Sequence, residues 1–141
     1  MTYTPQHVAN YFLDRAKAEG HRLSLLKLIN MVYIAYGWTL ALTNERLFHE
    51  RIQAWKHGPV IPSLYHEFKH FRSNSIDERS MRFDLDTGDE VFPTIPQDDT
   101  DTNLILDKVW AAYSRLSGWS LRAKTHEAGT PWSIAHQTPP R

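Results

Sequence analysis

The 141-residue chain has no cysteine, no surplus of either charge, few glycines and no apolar run near membrane-spanning length. Without cysteine there is no disulfide framework and no thiolate-ligated zinc site, and the composition fits a reducing compartment. Sixteen Lys and Arg balance sixteen Asp and Glu. That balance argues against a dedicated nucleic-acid binder, which carries a basic surplus. The longest apolar stretch, Met31 to Trp38, is far below the ~20 residues that cross a bilayer. Residues 1–5 lack the basic stretch and apolar run of a secretory signal. No glycine-rich phosphate loop, dinucleotide fingerprint or G-x-S-x-G nucleophile elbow occurs. The expectation is a cytoplasmic protein with no membrane partner and no cofactor.

What is present is material for a core. Apolar residues make up 41% of the chain and aromatics 12%, with five Trp. That suffices for one folded domain spanning residues 1–141, without a metal or cross-link to hold it.

The pattern is mainly α. Thr4 caps a first helix with Pro5 at its first position, and Gly20 stands past its end. A second helix runs from Ser24 to about Leu42. Leu25, Ile29, Val32 and Tyr36 fall on one face, with Met31, Ile34 and Trp38 roughly opposite. A helix apolar on two faces belongs at the centre of a fold. Partial alternation from Phe48 to Trp55 predicts a short strand, with a turn at Gly58-Pro59. Further helices are expected over Pro62–Arg72, Thr102–Leu116 and Leu121–Ala128, with a last one opening at Thr130-Pro131. Met81–Leu85 and Glu90–Ile95 flank Asp86-Thr87-Gly88-Asp89 as a small hairpin, and residues 136–141 read as a frayed tail. The expected architecture is a compact fold of five to six helices around a central buried helix, with at most a small β element.

Charge is segregated along the chain. Residues 1–82 carry eleven basic and seven acidic side chains; residues 108–141 carry five and one. Between them, residues 83–107 hold eight acidic side chains and no basic one. Turn formers fill this block, so residues 83–101 read as an acidic connector. Its alternative use is an acidic face for a basic partner, with Asp98, Asp99 and Asp101 as the candidate contacts.

One motif looks catalytic. His66-Glu67-Phe68-Lys69-His70 matches H-E-x-x-H, in which two His bind zinc and the Glu activates water. On a helix, however, Leu64, Phe68 and Phe71 share one face while His66 and His70 fall opposite. A zinc helix turns its ligands into a cleft, whereas these would face water. A zinc-dependent hydrolase is therefore the rejected alternative: no catalytic residue and no metal ligand are assigned, and no enzyme activity is expected. A DNA-binding autorepressor is the other alternative, and its best recognition segment, Leu121-Arg122-Ala123-Lys124, is short.

The segment Ala54-Trp55-Lys56-His57-Gly58-Pro59-Val60, with Leu64-Tyr65 after it, resembles the A-W-x-x-G-P-V-x-x-x-L-Y signature of the Panacea domain. Two more blocks agree: Lys27-Leu28 through Tyr33, Gly37 and Trp38, and then Val109-Trp110, Tyr113, Thr125-His126 and Pro131-Trp132. The resemblance covers roughly residues 5–135. It implies an antitoxin of a bacterial or phage toxin–antitoxin pair, with a toxin from an adjacent gene as partner. It also implies neutralisation by direct protein–protein contact, and one branch of the family delivers its toxin to an ATP-dependent protease. The motif residues Lys27, Tyr33, Trp55, Gly58, Pro59, Tyr65, Trp110, Thr125, His126, Pro131 and Trp132 read as scaffold, with Trp55 and Tyr65 pinning the Gly58-Pro59 segment to the central helix. Toxin contacts are then expected on polar surface such as Asp98, Asp99 and Asp101.

Overall fold

The computed structural model describes residues 3–56 and 58–125. Among them are five α-helices and two small antiparallel hairpins, the mainly helical fold the pattern predicts.

Helix α1 (Pro5–Ala18) opens at Thr4, with His7 where a capping box usually places Glu or Gln. The Thr4 N–H donates to His7 Nδ1 at 3.1 Å. Burial, and then the charge of Arg82, push the His7 pKa down, which keeps that nitrogen free to accept. Helix α2 (Leu25–Thr43) starts on Ser24, whose hydroxyl accepts from the Lys27 N–H at 3.2 Å. It ends on Asn44 in the left-handed region, a conformation Asn tolerates better than most side chains. Leu28, Met31, Val32 and Ala35 are fully buried. At 19 residues α2 is long and apolar enough to cross a bilayer. Here it is instead the core helix, packed on by α1, by α3 (Pro62–Phe68), by α4 (Thr100–Tyr113) and by α5 (Gly118–Thr125).

The strand expected over Phe48–Trp55 is shorter and placed later. Phe48 is fully buried, tilted against Tyr36, and only Gln53–Trp55 form β1. Gly58 and Pro59 are not the turn but the start of the returning strand β2 (Gly58–Val60), opposite Trp55 and Ala54. Gly58 sits at φ 127°, a backbone state that a side chain would strain. Helix α3 stops at Phe68 and tightens into a 3-10 turn over Lys69–Phe71, short of the predicted Arg72.

Strands β3 (Arg82–Phe83) and β4 (Glu90–Val91) form the hairpin expected around Asp86-Thr87-Gly88-Asp89. Its base is fastened to α1 by Asn10, a side chain 1% exposed. Asn10 Nδ2 donates to the Ser80 and Pro93 carbonyls at 2.9 Å each, and its Oδ1 accepts from the Ser80 N–H at 2.7 Å. Ile95 is buried beyond the hairpin, so the acidic connector is anchored at both ends.

Helix α4 begins two residues before Thr102 because Asp99 is its cap, accepting from the Thr102 N–H at 3.2 Å. Helix α5 begins three residues before Leu121, where the Ser117 hydroxyl accepts from the Ser120 N–H. The predicted extension to Ala128, the helix opening at Thr130-Pro131 and the tail 136–141 lie outside the described residues. Trp110 closes the core at 2% exposure. It stacks on Phe12 at 6.2 Å and donates from Nε1 to the Glu19 carboxylate at 2.9 Å.

Trp110→Ala should cost about 3–5 kcal/mol by emptying a packed aromatic site. Asn10→Ala should cost about 1–3 kcal/mol by orphaning buried backbone groups. Urea denaturation checks both; a midpoint unmoved by Asn10→Ala would show that the tether carries no stability.

Candidate functional site

The H-E-x-x-H segment lies on α3 and the turn after it. Leu64 and Phe68 are buried in the core, whereas His66 and His70 are exposed. Their rings rest on Tyr65 and Phe71. Glu67 accepts from Gln6 Nε2 at 3.4 Å, and Gln6 also donates to the Ser63 hydroxyl. Among the described residues no third His, Asp or Glu joins the two His.

The motif residues serve different ends. Lys27 is buried, and its ammonium donates to the Ser114 carbonyl at the C-terminus of α4, the negative end of that helix. Burial pushes the Lys27 pKa down. Five residues after Tyr113, the chain passes close to α2: a Cβ on Gly118 would meet Leu26 and the Lys27 backbone nitrogen at 3.2–3.3 Å. Lys27 and Gly118 thus fix how α2, α4 and α5 cross. Trp55, read as a pin for the β1–β2 hairpin, is only partly covered. It is 40% exposed, its ring meets Tyr65 edge-on at 5.5 Å, and Nε1 donates to Gln53. A three-residue strand on a two-stranded sheet offers no second layer to bury it. Tyr65, half-buried, carries it on α3. His126, Pro131 and Trp132 lie outside the described residues.

Three motif positions from separate blocks converge on one groove of about 930 Å³: Tyr33 from α2, Pro59 from β2 and Thr125 from α5. Tyr36, Trp38 and Tyr113 add aromatic surface, and Trp38 meets Tyr113 edge-on at 5.9 Å. Sequence reading assigned these motif residues one by one and had no way to see that they share a cavity.

The acidic candidates divide. Asp98 and Asp101 are exposed, and Asp101 sits in the first turn of α4, where the helix dipole favours it. Asp99 is half-buried and spoken for: it caps α4 and accepts from the Tyr3 hydroxyl at 2.5 Å. Burial alone would raise the Asp99 pKa. The hydrogen bonds from Tyr3 and Thr102 outweigh it and hold the carboxyl below its usual range. The same contact pushes the Tyr3 pKa up to about 12, with burial the largest cause. What sequence reading missed lies upstream, where the β3–β4 hairpin leaves Phe83 62%, Leu85 98% and Val91 44% exposed among acidic neighbours.

Tyr3→Phe should cost about 1–2 kcal/mol near neutrality. The folded tyrosine holds its proton more tightly than the unfolded one, so its stabilising effect persists below pH ~10 and is lost as pH rises toward 12. Denaturant titrations from pH 8 to 11 should therefore show wild type and variant converging. Parallel stability curves would contradict the Tyr3–Asp99 assignment.

Residues 27–133 match the family model described as antitoxin SocA-like, Panacea domain. Antitoxin SocA of Caulobacter vibrioides (strain NA1000 / CB15N) is 31% identical over 144 residues, covering 99% of this chain and 76% of that protein. No solved structure matches. The three motif blocks and the groove they share lie within one matched span, and the chain belongs to the Panacea-domain, SocA-like antitoxin family.

Proposed function

We propose that this protein is an antitoxin that neutralises a cognate protein toxin, encoded by an adjacent gene, through direct protein–protein contact. The single observation that carries the reading is family membership over residues 27–133, reinforced by a relative named antitoxin SocA aligned along nearly the whole chain. The molecule's chemistry supports a binding role over a catalytic one: its one catalytic-looking motif stands with both His exposed, opposite a buried Leu64–Phe68 face. Toxin contact falls on the acidic surface at Asp98 and Asp101, while Asp99 holds the start of α4 in place. Neutralisation takes place in the cytoplasm, with delivery of the bound toxin to an ATP-dependent protease as its second stage. No step requires DNA binding or a cofactor.

Expression of the adjacent reading frame alone should arrest growth, and co-expression of this chain should restore it, with the two products co-purifying. A protease-deficient host separates the stages: binding persists while the toxin's half-life lengthens. With the toxin in hand, Asp98→Asn combined with Asp101→Asn should slow association about 3–10-fold at low salt and leave the melting temperature nearly unchanged. A neighbour with no effect on growth, or a toxin that never co-purifies, would refute the reading.

A further inference from the structure

The groove that gathers the motif positions has a positive rim and an apolar floor. Arg46, Arg51 and Lys124 are exposed along it, and none forms an ion pair among the described residues. Its floor includes half-buried Trp38 and Ile52, with Leu40 exposed at one side. The acidic side chain lining it is Glu50. Its carboxylate is already engaged, accepting from the Ser63 N–H at 3.0 Å and the Ser63 hydroxyl at 2.7 Å. Such a groove selects an occupant that presents carboxylates beside an apolar side chain.

This chain carries that occupant. At the tip of the β3–β4 hairpin Leu85 is 98% exposed, and Phe83 before it is 62% exposed. Asp86, Asp89 and Glu90 surround them, exposed and without ion pairs among the described residues. The tip is also preorganised. Asp84 Oδ1 accepts from the N–H groups of Asp86 and Thr87, and the Thr87 hydroxyl accepts from the Asp89 N–H. A rigid tip loses little conformational freedom when it docks. Hairpin and groove are built on different elements, one fastened to α1 through Asn10 and the other framed by α2 and β1–β2.

We propose that copies of this chain associate head to tail, the acidic hairpin of one seated in the basic groove of the next. A net charge of zero removes the long-range repulsion that would keep like molecules apart. Because the two patches differ, the contact is heterologous and can repeat from copy to copy. The inference stands on these two surfaces and is independent of the antitoxin reading.

The test is sedimentation velocity with charge-reversed variants. Wild type should show a mass that rises with concentration at low salt and returns to monomer near 1 M salt, where the Debye length is about 3 Å. Two variants each remove one patch: Arg46→Glu with Arg51→Glu, and Asp86→Lys with Asp89→Lys. Each alone should stay monomeric. Mixed in equal amounts they should associate again, because the native hairpin of one meets the native groove of the other and the reversed hairpin, now basic, meets the reversed groove, now acidic. Leu85→Ser, which changes no charge, should weaken wild-type association at least tenfold and guards against misfolding of the reversal variants. The proposal is overturned by a wild type monomeric at every concentration, by association insensitive to salt, by either reversal variant associating alone, or by a mixture that stays monomeric.

Discussion

A helix apolar on both faces cannot be left at a surface, and nearly everything in this molecule follows from covering α2. Leu28, Met31, Val32 and Ala35 exclude water completely, and four other helices supply the cover. Burying that much apolar surface is the main driving force available to a chain of this size. It also sets a difficulty, because Lys27 and Asn30 lie within the buried span. The lysine is tolerated by reaching the carbonyl end of α4; the asparagine donates from Nδ2 back to the Leu26 carbonyl at 2.8 Å, while its Oδ1 is buried with no hydrogen-bond partner among the described residues.

Polar ties of long sequence separation complete the cover. Asn10 joins α1 to the hairpin base, Tyr3 joins the N-terminal segment to the α4 cap, and Arg15 reaches Asp107 on α4 at 2.5 Å. The first two are buried or half-buried and satisfy groups that would otherwise be stranded away from water. The Arg15–Asp107 pair is half-exposed and orients more than it stabilises.

How much of this was legible in the residues depended on the range of the interaction. Thr4-Pro5 and Gly20 mark α1 because a cap is a local event, and the two-faced pattern of α2 names the core helix without any partner being known. The β3–β4 hairpin follows equally from its Asp-Thr-Gly-Asp turn. Errors arose where a tertiary contact overrode the local signal. Phe48 fits a strand pattern, yet it is drawn into the core beside Tyr36. Gly58-Pro59 reads as a turn, but its φ of 127° serves a strand start. Trp55 reads as a pin for the Gly58-Pro59 segment, and on its small sheet it stays 40% exposed against Tyr65. For the candidate site, the opposition of the two His to the apolar face of α3 needed only helical periodicity. The shared groove, the role of Asp99 and the exposed Leu85 needed the fold.

The long-range ties also order events during synthesis. Asn10 finds its partners only once Pro93 has been made, Tyr3 must wait for Asp99, and Lys27 has no acceptor until Ser114 exists. Ribosomes add ~5–20 residues per second, so the first two helices spend on the order of 5–20 s with their polar groups unmatched and the apolar faces of α2 uncovered. Closure then comes almost at once, over the last third of the chain. The core of such a chain is therefore completed late, when α4 and α5 arrive to cover α2.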